Sequence, residues 1–240
     1  MHPAAIAFQD PARLRSRCET AGVSRQTRRP GHDAAAVLPD GAWQPLSDGC
    51  PERFAPGVLT RDSGLVELFR LPGSVFDLRA LTTLVYGLGD PIPVTLGEAC
   101  DAPGLPVTHL NPASGLRSGL HVDNHQNLPY ADRETARRRL CVNLGPGSRY
   151  LLLSDTDIKS VCRTVHDRYE DHRPATSDLR RYVALQRPLR VLRLRIDPGE
   201  GWLAPTAVLP YDESTDGQAE HSVTVSWLGR WGRGVLGPLI

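Results

Sequence analysis

Leu140-Cys141-Val142-Asn143-Leu144-Gly145-Pro146-Gly147-Ser148-Arg149-Tyr150-Leu151-Leu152-Leu153 is the stretch that decides the fold. Two short apolar runs flank a turn rich in glycine and proline, and they read as strands. Working outward, Leu192, Leu194 and Ile196 alternate with Arg193 and Arg195, the pattern of a half-buried strand. Pro198-Gly199-Glu200-Gly201 then turns the chain into Trp202-Leu203-Ala204. A last strand, Ser222 to Leu228, puts Val223, Val225 and Trp227 on one face. Upstream, Val75, Leu78, Leu81, Val85 and Leu88 recur at helical spacing behind a capping box of Ser74 and Asp77. That spacing predicts a helix over 75–88, packed outside the sheet. Asp155 or Thr156 is placed to cap a helix through Ile158 and Val161, and a short helix is expected from Ser177 to Leu185.

Many short strands after a helical part predict a mainly β (α+β) fold, a jelly roll or related barrel with helices outside it. The strand-rich domain is expected over 56–240. Residues 1–55, rich in Ala, Pro, Gly and Arg with little periodicity, are expected to be a partly irregular extension. Arg25-Gln26-Thr27-Arg28-Arg29-Pro30-Gly31 reads as loop or disorder.

At 240 residues the chain buries enough apolar surface to need no disulfide staples. Its formal net charge of +1 supplies no global field for nucleic acid or a membrane surface. Lys159 is the only lysine, and the arginine bias is attributed to coding composition, although arginine suits bidentate capture of carboxylates. The five cysteines are scattered with no C-x-x-C pair, which argues against a zinc knuckle and a secreted disulfide framework. No apolar stretch approaches the ~20 residues of a membrane span, and no signal-like start is seen. A cytoplasmic protein acting on a small molecule is the expectation. No G-x-x-x-x-G-K-S/T loop, strand-linked G-x-G-x-x-G or G-x-S-x-G elbow is present.

The sharpest local signal is Gly119-Leu120-His121-Val122-Asp123-Asn124-His125. In an extended strand, residues two apart point the same way, so His121 and Asp123 aim into one cavity. An imidazole and a carboxylate there are two members of the facial triad that holds iron(II) with open positions. His125 shares that face if the strand continues, but reads as a polar loop residue. His2, His32, His109, His166 and His172 read as surface residues.

This motif, with Arg139-Leu140-Cys141-Val142-Asn143-Leu144-Gly145 and with Asp197-Pro198-Gly199-Glu200-Gly201-Trp202-Leu203-Ala204-Pro205-Thr206, resembles the Fe(II)/2-oxoglutarate-dependent oxygenases, specifically the small bacterial tailoring hydroxylases. The resemblance runs from about Gly115 to Trp231, about half the chain. It implies a double-stranded β-helix that oxidises a small molecule such as an amino acid derivative or natural-product intermediate. Iron(II) and 2-oxoglutarate would be its cofactor and co-substrate.

The family's distal histidine normally follows the Pro-Gly turn closely, with an arginine or lysine beyond it for the 2-oxoglutarate carboxylate. Here that place reads Leu209-Pro210-Tyr211-Asp212-Glu213. One alignment takes His221, which shares parity with Val223, Val225 and Trp227, as an inward-facing third ligand, followed by Arg230 as the carboxylate anchor. Arg149 and Asn143 are further candidates for holding the co-substrate. The other alignment puts Tyr211 at the ligand position and His221 at the usual arginine position. That alignment implies a rebuilt site on the same fold, without redox chemistry: a metal-independent cyclase or isomerase, or a ligand-binding module.

Overall fold

The computed structural model describes residues 4–47, 49–56, 64–71 and 78–239. In chain order the elements are β1 (Ala5–Ala7), α1 (Pro11–Arg17), β2 (Cys18–Arg25), β3 (His32–Pro45), β4 (Leu65–Arg70), α2 (Leu78–Gly87), β5 (Val94–Asp101) and β6 (Arg117–Gly119). They continue as β7 (Arg138–Pro146), β8 (Arg149–Ser154), α3 (Ile158–Val165), α4 (Thr176–Ala184), β9 (Arg190–Ile196), β10 (Glu200–Ala204), β11 (Tyr211–Ser214) and β12 (Ser222–Gly229). The strands form two six-stranded sheets, ordered β1-β4-β10-β7-β12-β5 and β11-β8-β9-β2-β3-β6. The fold is mainly β and nearly closed like a barrel.

The two sheets share one interior. Val66, Leu68, Cys141, Trp202 and Ala204 of the first pack with Leu151, Leu153, Leu194 and Ile196 of the second. The outer face of the first sheet is also covered, with Leu140, Val142, Val225 and Trp227 packing on Leu81 and Val85 of α2. On the second sheet, Leu38, Leu152 and Val191 pack beneath Ile158 and Val161 of α3 and Leu179 of α4. Strands buried on both faces have no solvated side to carry polar residues. This is why Leu151-Leu152-Leu153 is an unbroken apolar run. The turn between β7 and β8 is closed by Gly145 at φ 83° and by Gly147, whose added Cβ would lie 2.6 Å from the Glu220 carbonyl oxygen.

Helix α2 lies outside the sheet as its spacing predicts; Ser74, Val75 and Asp77 fall outside the described residues. Helix α3 is capped by Asp157, not by Asp155 or Thr156, its carboxylate accepting from Ser160 N–H at 2.8 Å. The larger correction is to residues 1–55. β2 lies inside the second sheet, hydrogen-bonded to β9 on one side and β3 on the other, so this stretch is not a loose extension. Its strands are poor in β-branched residues, and sheet pairing supplies what local propensity does not. The segment between β2 and β3 is a loop, as read. Among the described residues no helix is long and apolar enough to cross a membrane.

Candidate functional site

β6 brings the chain to the motif. Gly119 sits at φ 70° with the Val37 carbonyl oxygen 2.4 Å from where a Cβ would stand, so only glycine allows this approach to β3. Beyond it Leu120 and Val122 enter the outer cluster beneath α3 and α4. His121 and Asp123 point the other way, as the two-residue period requires. His121 exchanges backbone hydrogen bonds with Tyr211 at 3.0 and 2.8 Å, and Asp123 N–H donates to the Thr206 carbonyl at 2.9 Å. The motif is thereby stitched to the start of β11. Arg133, almost fully buried, holds the far side: it donates to the carbonyls of Asp123 and Ala207 and to Asn124 Oδ1.

His121 is a neutral base. Its Nδ1 lies 2.9 Å from the Gly119 carbonyl, which assigns the ring proton there, and its Nε2 is buried without a hydrogen-bond partner. Burial, with His109 beside it, holds its pKa down to about 3. The His109 ring stacks on it at 3.9 Å between centroids, and the Tyr211 ring lies at 4.6 Å. Beneath them Asp212 Oδ1 accepts from the backbone N–H groups of Thr108, His109 and Glu213, yet burial pushes its pKa up to about 8.

Asp123 is saturated. Arg139 donates Nε to Oδ2 and Nη2 to Oδ1, both at 2.9 Å. Thr206 Oγ1 donates to Oδ2 at 2.6 Å, and Tyr211 donates its hydroxyl to Oδ1 at 3.2 Å. A carboxylate has about four lone-pair sites, and these four donors fill them. Against the cost of burial, Arg139 holds the Asp123 carboxyl well below its usual range. Burial keeps the Tyr211 phenol well above its usual range, so it stays a donor.

The other expected residues lie elsewhere or are already engaged. His221 is exposed, in the turn before β12, and its carbonyl accepts from Gly147 N–H at 2.9 Å. The parity argument fails because the face of Val225 and Trp227 is the outer face, packed on α2. Arg149 does point into the barrel, but its guanidinium pairs with Glu213 at 3.0 Å and Asp101 at 3.2 Å. Asn143 spends both amide donors on the carbonyls of Gly147 and Ile196, and its Oδ1 accepts from Gly145 N–H and Ser222 Oγ. It holds the turn together and leaves nothing for a co-substrate. His109 corrects the surface reading, as do His166 and His172, which meet Asp178; His2 lies outside the described residues.

A cleft of about 380 Å³ opens above Asp123, lined among others by His125, Gln126, Arg137, Leu228 and Arg230. His125 Nε2 lies 3.7 Å from Asp123 Oδ1. Among the described residues no carboxylate stands within 4 Å of the Arg137 or Arg230 guanidinium groups; the Arg230 backbone N–H donates to Asp90. No family model, curated protein or solved structure matches this chain.

The residues do not fit iron(II) as a facial triad. Among the described residues His121 and Asp123 belong to no group of three His, Cys, Asp or Glu ligand atoms within 4.8 Å of one another, although His109 and His125 stand near, and four donors already occupy the Asp123 oxygens. Arg139 was legible as part of a strand, but nothing local marks it as the partner of a residue 16 positions earlier.

Proposed function

We propose that the two sheets are a jelly roll of the Fe(II)/2-oxoglutarate oxygenase architecture whose metal position has been rebuilt as an ion pair. On this reading the chain binds a small anionic molecule without redox chemistry. The observation that carries it is the bidentate Asp123–Arg139 pair, closed by Thr206 and Tyr211. A guanidinium supplies the positive charge that a cation would, and its planar fork matches a carboxylate. Arg137 and Arg230 at the mouth of the cleft suit a ligand carboxylate, and Leu228 and Leu128 suit an apolar body. His121 Nε2, buried and without a hydrogen-bond partner, lies beside Asp123 but outside the cleft lining.

The oxygenase reading stands second, on that same unpartnered Nε2. Anaerobic Fe(II) titration and 2-oxoglutarate turnover separate the two. We expect no iron whose binding depends on Asp123, and no 2-oxoglutarate consumption. Iron lost on Asp123→Ala together with turnover lost in the same variant would restore the oxygenase. For binding itself, citrate and 2-oxoglutarate serve as plain anionic probes in a thermal-shift series. Removing both anchors, Arg137→Ala with Arg230→Ala, should weaken the response at least tenfold, because each charge-assisted hydrogen bond contributes about 1.5–3 kcal/mol. An unchanged response would remove the cleft from the proposal.

A further inference from the structure

Away from the barrel interior, α3 and α4 meet at a cluster of mixed donors. Cys162 and His166 stand four residues apart on α3 and its C-cap, so they share one helix face. His172 follows a 3-10 turn, Tyr169–Asp171, and Asp178 lies in the first turn of α4. One ligand atom from each of these four residues lies within 4.8 Å of every other. Asp178 Oδ1 receives His166 Nε2 at 2.8 Å and His172 Nε2 at 3.2 Å. The two rings stack at 3.9 Å between centroids; His166 Nε2 meets Oδ1, and His172 Nε2 lies 3.1 Å from Oδ2 as well. Cys162 is buried, whereas the histidine side chains keep 23% and 33% exposure.

We infer that Cys162, His166, His172 and Asp178 form a structural zinc site. Zinc accepts sulfur, nitrogen and oxygen together, and four protein ligands close its tetrahedron. Bonds of about 2.0–2.3 Å set ligand–ligand edges of about 3.3–3.8 Å, within the 4.8 Å that encloses the four ligand atoms here. A thiolate and a carboxylate cancel the ion's two charges, which suits a half-buried position. The Asp178 carboxylate can ligate through Oδ1 because Oδ2 serves the helix, accepting from Ala175 N–H at 2.8 Å. That second bond fixes the ligand's orientation. A surface recess lined by His166, Asp171 and His172 gives an ion its way in. Binding exchanges the thiol proton for the metal, so the loaded site releases about one proton.

The ion would tie together the two helices that cover the second sheet. It would also brace the motif strand: Val122 N–H donates to Thr176 Oγ1 at 3.2 Å, and Tyr130 N–H to the His172 carbonyl at 3.0 Å. Neither His121 nor Asp123 takes part, so this inference stands apart from the reading of the cleft.

The test is metal analysis of the full chain purified from zinc-supplemented medium, followed by cobalt(II) exchange. We expect about one zinc per chain, and with cobalt a thiolate charge-transfer band and the strong visible bands of tetrahedral geometry. Cys162→Ser should lose the charge-transfer band, and His172→Gln, at a more exposed position that tolerates change, should lower zinc occupancy more than tenfold. His121→Phe should leave both signals unchanged. Absence of zinc in well-folded wild type would overturn the site. So would zinc that Cys162→Ser and His172→Gln retain, or that His121→Phe removes.

Discussion

Arg139→Met should cost about 3–5 kcal/mol of folding stability at neutral pH, read from urea denaturation. Methionine fills most of the space but strands the Asp123 carboxylate in a buried position, with the hydroxyls of Thr206 and Tyr211 as donors and the His125 ring at 3.7 Å. The effect is dominated by that unpaired charge, so a second substitution should relieve it. Asp123→Asn on top of Arg139→Met is expected to recover more than half of the loss, because no buried charge remains. The pH dependence gives an independent sign. In the wild type the Asp123 pKa is depressed, so its contribution is fully present above the ordinary value of 3.8 and is lost as pH falls through the folded value. In Arg139→Met the depressing cation is gone and burial raises the pKa. The folded state then binds a proton that the unfolded state has released, and stability falls as pH rises. The variant should therefore be less handicapped in mild acid than near neutrality. A deficit that does not change with pH would mean that Asp123 keeps another cation in place of Arg139.

The contrast between Arg139 and His121 shows what was legible in the sequence. Strands β7 and β8 were visible because both of their faces are apolar, and the direction of His121 and Asp123 followed from the two-residue period of an extended chain. Neither fact depends on distant partners. Strands β2 and β3 were missed because their Ala- and Gly-rich stretches become strands through pairing with β9 and β6, far along the chain. The distal position was open to two alignments for a similar reason. Parity placed His221 with Val225 and Trp227, but it could not say which face of a sheet buried on both sides looks into the barrel. Tyr211, the alternative, is the residue that meets His121 and Asp123. His109 carried no local signal, since its ring reaches His121 from a loop anchored by backbone bonds to Asp212.

Acid should destabilise the wild type through His121, and His121→Phe should abolish that part of the loss. The buried ring stays neutral in the folded chain down to about 3, whereas the unfolded chain protonates it near the ordinary value of 6.5. Between those limits the unfolded state binds the extra proton, so stability rises with pH, at up to about 1.4 kcal/mol per pH unit from this group. Above the ordinary value both states are neutral and the contribution is flat. Phenylalanine keeps a ring against His109 and Tyr211 but cannot take up a proton or donate to the Gly119 carbonyl. The variant should therefore be less stable than the wild type at neutral pH, by about 1–3 kcal/mol for the unmet buried acceptor. As pH falls its deficit should shrink and then reverse, a crossover seen when urea midpoints are measured across the acid range. The seven other histidines contribute to both curves and cancel in the difference. Parallel curves would mean that the His121 ring takes a proton in the folded protein, and the neutral, unpartnered Nε2 assigned to it would be lost as well.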